Sequence, residues 1–223
     1  MSVNLENFHS IQRLVSAHNA TLVAVSKIKP VSDIKALYNQ GQLDFGENYV
    51  QELDDKVRQL PGDIRWHFIG HLQSNKVKYI APYVHLVHGV DSIKLLQTID
   101  KEGRKINRKI KCLLQVHVAQ EETKFGFSKD EVLQALAQWQ NTKTAFAEIC
   151  GIMGMASFTE DEIQLRHEFR LLKSIFDEVR NHYFKDVDHF DTLSMGMSGD
   201  YKIALEEGST MIRVGSLLFG SRN

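Results

Sequence analysis

The chain has 223 residues, of which 43% are apolar and 25% charged, and its 27 Lys+Arg against 28 Asp+Glu leave a formal net charge of −1. That balance excludes collagen-like, disordered and coiled-coil chains and fits a single domain spanning residues 1–223. It also removes the electrostatic basis for broad binding to nucleic acid or to an anionic membrane.

Met1 to Asn7 lacks the basic and apolar segments of a secretory signal, and no uncharged apolar run reaches the roughly 20 residues of a membrane span. A cytoplasmic chain is expected, with neither a nucleic-acid nor a membrane partner. Cys112 and Cys150 both sit inside apolar runs, so buried thiols are expected in preference to a disulfide or a metal site.

In chain order, an amphipathic segment from Leu5 to His18 comes first. Eight short runs rich in Val, Ile, Leu and Phe follow: Leu22 to Ser26, Leu43 to Gly46, Trp66 to Gly70, Leu86 to Val90, Lys111 to Val118, Glu148 to Met155, Thr192 to Met195 and Met211 to Gly215. Each reads as a strand buried on both faces. Between them lie helical patterns at Ser32 to Gln40, Val50 to Gln59, Asn75 to Tyr83, Ser92 to Glu102, Lys129 to Gln140, Asp161 to His182 and Ser198 to Glu206.

Ser128, Asp161 and Ser198 stand at N-cap positions, and Glu131 completes a capping box with Ser128. Gly41, Gly103 and Gly208 follow helical runs, where a left-handed cap is expected. Eight strands alternating with helices define a (β/α)8 TIM-type barrel with an extra N-terminal helix. An open doubly wound sheet is the structural rival.

In a barrel, function sits at the strand C-termini and in the loops after them. Lys27 ends the first strand; there it either offers a partly desolvated amine to carbonyl chemistry or snorkels to water. Gly196 and Ser198 after strand seven, with Gly215 and Ser216 after strand eight, supply the N–H groups and hydroxyls of a phosphate cradle, or simply loop glycines and a capping serine. Lysine and cradle in one mouth describe a pyridoxal phosphate site.

Arg213, among apolar neighbours, needs a partner: a pyridine nitrogen or a carboxylate. A guanidinium facing the ring cannot accept the N–H of a pyridinium, so it favours the unprotonated ring, a weak electron sink. His67 reads as an interior hydrogen-bonded histidine or a site group. Glu121, Glu122 and Lys124 read as a charged loop or a lid. No His-Glu-x-x-His spacing, phosphate loop or nucleophile elbow is present, which removes zinc hydrolases, nucleotidases and α/β-hydrolases.

Six ordered segments carry a resemblance: Ala24 to Pro30, Phe45 to Glu52, Trp66 to Lys76, Lys124 to Phe127, Leu193 to Ser198 and Gly208 to Gly215. With them the chain resembles the pyridoxal phosphate homeostasis protein family, whose barrel is of the alanine racemase N-terminal-domain type. The resemblance implies pyridoxal 5′-phosphate held as a Schiff base on Lys27, with Asn48 beside it. Phosphate would lie around Ser194, Ser198, Gly215 and Ser216, and Arg213 near the ring nitrogen.

It further implies a role in handling the cofactor pool and in amino-acid and keto-acid balance, with apo-enzymes as recipients of the cofactor. Ile28, His117 and Ser216 depart from the family's usual Thr, Asn and Thr, and His117 leaves the end of strand five open. A racemase is the other reading. It needs an acid/base on each face of the substrate, and the resemblance assigns the second to a C-terminal domain beyond this segment. A carrier without a second catalytic base, working as a monomer or weak dimer, is therefore expected.

Overall fold

The computed structural model describes residues 3–119 and 125–220. Its strands are β1 (Thr21–Val25), β2 (Asp44–Glu47), β3 (Arg65–Phe68), β4 (Val84–Val90), β5 (Ile110–Gln115), β6 (Ala147–Met153), β7 (Thr192–Ser194) and β8 (Met211–Val214). They form one closed barrel in sequence order. Closure is made by β1 against β8 in parallel, with Leu22 opposite Ile212 and Val23 opposite Arg213. That pair rules out the open doubly wound sheet and establishes the (β/α)8 barrel.

The helices are α1 (Leu5–Ala17), α2 (Val31–Tyr38), α3 (Val50–Val57), α4 (Val77–Ile80), α5 (Ile93–Lys105), α6 (Lys129–Trp139), α7 (Glu162–Tyr183), α8 (Tyr201–Glu206) and α9 (Ser216–Phe219). The extra helix α1 starts where Asn4 accepts the Asn7 N–H at 2.9 Å, and it buries Phe8, Ile11 and Val15 at helical spacing. The capping box at Ser128 and the Asp161 cap form as expected.

Other expectations shift. The run from Asn75 becomes a 3₁₀ turn at 74–76 followed by α4. Gly103 lies within α5, where a Cβ would come within 2.7 Å of the Arg108 carbonyl, and the left-handed turn falls at Asn107 instead. Gly41 and Gly208 do take positive φ. Strands β5 and β6 stop at Gln115 and Met153, short of the expected Val118 and Met155.

Alternation along the strands divides the core in two. The larger apolar shell lies between strands and helices and includes Phe45, Phe169 and Phe190. A smaller inner set, Val23, Leu86, Leu113, Cys150, Met153 and Met211, fills part of the barrel. Cys112 and Cys150 are free and buried, and burial pushes the Cys150 thiol up to about 12. No helix among the described residues is long and apolar enough to cross a membrane.

Pairing of β5 with β6 shifts register between Cys112 and Leu113, which leaves Gly151 opposite Leu113 and Thr192. A Cβ at Gly151 would come within 1.8 Å of the Thr192 carbonyl oxygen. Gly151→Ala is expected to force β6 and β7 apart and cost about 3 kcal/mol or more. A lower urea midpoint at unchanged slope is the readout; an unshifted midpoint would show that the strands move freely.

Candidate functional site

Val23 faces the barrel interior and the Ser26 hydroxyl faces outward to Glu47, so alternation puts Lys27 on the mouth side. Val25 lies opposite Gly46, and the Ser26 N–H donates to the Gly46 carbonyl at 2.9 Å. Gly215 packs on Val25, where a Cβ would stand 3.2 Å from the Val25 Cβ, while Asn48 backbone presses on Gly70. Lys27, Asn48 and Gly215 therefore share one stretch of rim above β8, β1 and β2. Asn48 Oδ1 is buried with no hydrogen-bond partner among the described residues.

The loops after β7 and β8 are tied together beside this rim. Gly196 accepts the Arg213 N–H at 3.0 Å, and Ser198 Oγ accepts the Gly215 N–H at 3.3 Å. Gly196 has φ +95, and a Cβ there would meet the Ala204 Cβ at 2.6 Å, so glycine is required. The expected helix start at Ser198 is absent. Met197 and Asp200 close a turn, with the Met197 N–H donating to Asp200 Oδ1 at 2.5 Å, and α8 begins at Tyr201 after Asp200 at φ −136. Ser216 is exposed in the first turn of α9.

The turn carrying Lys27 is held from outside the barrel by groups to which the sequence pattern assigns no role. Lys56 on α3 donates to Glu47 Oε1 at 2.7 Å, Glu52 Oε1 at 2.6 Å and the Ser26 carbonyl at 2.8 Å, which uses all three of its protons. Glu52 also accepts the Ile28 N–H at 2.6 Å. Burial raises the Glu47 carboxyl, and Lys56 opposes the shift. Ile28 takes φ +61, a strained conformation for a β-branched residue, directly after Lys27.

Inside the barrel, below the rim, runs a line of polar groups. Arg213 Nη1 donates to Ser194 Oγ at 2.7 Å and Nη2 to the Gly154 carbonyl at 3.0 Å. Ser194 Oγ meets His88 Nδ1 at 3.2 Å, His88 Nε2 meets His67 Nδ1 at 2.9 Å, and His67 Nε2 meets Asp44 Oδ1 at 2.9 Å. Arg65 grips both oxygens of Asp44. Ser194 thus faces the interior, committed to Arg213 and His88, while Ser198, Gly215 and Ser216 lie on the loops above.

His67 is the interior histidine of the first reading. Burial pulls Arg213 down to about 10, against the favourable field of Asp200. Burial also holds His88 well below the usual histidine range.

Asp44, His67 and His85 bring three donor atoms within 4.8 Å of one another, the one such group among the described residues. Strand spacing hides this cluster from a search for sequence motifs. Arg65 and the hydrogen bonds already occupy Asp44 and both nitrogens of His67. Glu121, Glu122 and Lys124 lie outside the described residues. His117 donates its N–H to the Phe127 carbonyl at 2.8 Å, tying the end of β5 to the returning chain.

A closed parallel barrel with a lysine after β1, a buried arginine on β8 and paired glycine–serine turns defines a barrel of the alanine racemase N-terminal type. The family model described as "Alanine racemase, N-terminal domain" matches residues 5–223. Proteins named pyridoxal phosphate homeostasis protein match at 36% identity in Schizosaccharomyces pombe (95% of this chain, 88% of that one) and 39% in Aquifex aeolicus (91% and 87%).

The PipY structure of Synechococcus elongatus with pyridoxal phosphate bound is 31% identical at a TM-score of 0.85, covering 96% of this chain and 99% of that one. A Clostridium difficile alanine racemase shares the fold at 14% identity and a TM-score of 0.73, over 99% of this chain and 57% of that one. The chain belongs to the alanine racemase N-terminal-domain family and, within it, to the pyridoxal phosphate homeostasis proteins.

Two predictions follow from the charged groups. Lys56→Met leaves Glu47 buried without its cation and is expected to lower stability by about 3 kcal/mol or more; a loss under about 1 kcal/mol in urea would show that Glu47 readily takes up a proton or water. Acid should also destabilise the fold in two windows. Burial lowers His85 to about 4, so stability is lost as pH falls from the ordinary histidine value toward 4.

Asp44 is lowered to about 2 against its own burial, by hydrogen bonds to His67 and Arg65, and its contribution is lost as pH falls from about 4 toward 2. Urea midpoints across pH should show both steps in the native chain and a smaller lower step in Asp44→Asn, where Asp100 and Glu207, also held low by hydrogen bonds, still lose their contribution in acid.

Proposed function

We propose that this chain holds pyridoxal 5′-phosphate reversibly as a Schiff base on Lys27 and serves intracellular cofactor homeostasis, with effects on amino-acid and keto-acid balance. The observation that carries the reading is the gathering on one rim of Lys27, an Asn48 acceptor with no partner among the described residues and the tied loops of Ser198, Gly215 and Ser216, directly above buried Arg213. When bound, the cofactor supplies an aldehyde that condenses with a primary amine.

The chain's own groups supply the rest. Ser198, Ser216 and the N–H groups of the two turns grip a phosphate, and Asn48 hydrogen-bonds a ring substituent. Arg213, which can only donate, faces the ring nitrogen and keeps it unprotonated, while Ser194 acts through Arg213. An unprotonated ring withdraws electrons weakly, which favours holding the cofactor over turning over amino acids. The chain then works as a monomer or weak dimer that passes its cofactor to apo-enzymes in the cytoplasm. The similarity of the chain to a protein solved with pyridoxal phosphate bound supports the cofactor in this reading.

Titration of the apo-protein with pyridoxal phosphate should raise a visible Schiff-base band that Lys27→Ala abolishes, and the loaded protein should activate an added apo-enzyme. A band retained in Lys27→Ala would show that the anchor is another amine. Alanine racemisation well above the Lys27→Ala control would favour an enzyme.

A further inference from the structure

The polar line inside the barrel has a direction, and it can be read from donor inventories alone. Arg213 has only protons to give, so Ser194 Oγ accepts from Nη1. The Ser194 proton is then best used toward His88 Nδ1, which must be bare. His88 in turn carries its proton on Nε2 and donates to His67 Nδ1. His67 likewise carries its proton on Nε2 and donates to Asp44. Every proton points the same way, from the arginine to the carboxylate. The opposite arrangement, with His67 donating from both nitrogens and His88 from Nδ1, strands the Ser194 proton in a site with no exposure.

We infer that Asp44, His67, His88 and Ser194 form a one-way hydrogen-bond chain that holds the Arg213 guanidinium in its orientation toward the cofactor ring and ties its polarity to the floor of the barrel. The inference rests on the reading of the rim as a pyridoxal phosphate site. The four are positioning residues; none reaches the rim.

At its lower end the chain meets solvent. A cavity of about 300 Å³, lined in part by Gln12, Gln42, Asp44 and Arg65, opens at the floor. Arg65 is the half-exposed member of its pair with Asp44. The charged or titratable neighbours are few. His67 is faced by Asp44 on β2 and His85 and His88 on β4, with Arg65 and Lys111 acting near His85; His88 feels His67, His85 and Arg213. Linked hydrogen bonds in a low dielectric polarise one another, so the charge at Asp44 is felt at Arg213.

Two measurements test this. In the apo-protein, ¹⁵N NMR of the histidine rings should show His67 and His88 neutral and protonated at Nε2. A doubly protonated His67, or His88 carrying its proton at Nδ1, overturns the chain. In the loaded protein, Asp44→Asn removes a negative charge and leaves Arg65, so the interior becomes more positive and disfavours the protonated Schiff base.

The pH midpoint of its visible band should fall by about half a unit or more. His88→Leu should also displace the midpoint or the band maximum, and His88→Gln, which can still accept from Ser194 and donate to His67, should restore it. A purely structural role would change affinity or stability and leave midpoint and maximum at the native values; that result in folded, loaded variants overturns the inference. Correct tautomers in a native protein that forms no band would sink the cofactor reading, and the tuning with it, while showing the chain itself to be correctly drawn.

Discussion

A guanidinium sits inside a closed barrel, 4% exposed, and the interior is built around it. Desolvation opposes that charge strongly enough to pull Arg213 down to about 10, so its protons need acceptors. Ser194 and the Gly154 carbonyl provide them directly. Behind Ser194, two histidines carry the polarity to Asp44, whose negative charge Arg65 holds in place. A barrel interior packed only with Val, Leu and Met could not have accepted an arginine.

The rim above depends on this interior and on a second buried charge set outside the strands. Lys56, Glu47 and Glu52 clamp Ser26 and Ile28, the residues on either side of Lys27. The lysine thus stands on a turn whose backbone is fixed from outside the barrel, with strain stored at Ile28. Positioning of this kind limits the geometries open to the lysine amine. In barrels of this class stability is commonly assigned to the lower face and chemistry to the upper; here one line of hydrogen bonds joins the two.

Much of the fold is legible along the chain because each strand is a short apolar run closed by turn residues, and each run is separated from the next by a helical repeat. Lys27, Ser198 and Gly215 are legible because they lie just after strands, and Arg213 because it is a charge inside an apolar run. His88 and Asp44 are not. A histidine inside an apolar run and an aspartate at a strand start look ordinary until closure brings strands two, three, four, seven and eight around one axis.

Glu47, Glu52 and Lys56 escape notice because their pairing depends on how α3 lies against the ends of β1 and β2. Ser194 enters only through the family resemblance, and its direction depends on the pleat. The helix expected from Ser198 begins at Tyr201 because Asp200, at φ −136, stands outside the helical region, a local choice that spacing cannot rank.

Local chemistry by itself determined the alternation of eight strands with helices, the lysine after the first strand and the glycine–serine turns after the last two; closure into a barrel waited for β1 to pair with β8. The local properties rest on periodicity, strand length and residue type, which are written within a few positions of one another. Only the tertiary structure decided which polar side chains meet inside the barrel, which way their protons point, and which ion pair steadies Lys27. Those contacts join residues tens of positions apart, and hydrogen bonding and burial act on distances that exist only once the sheet has closed.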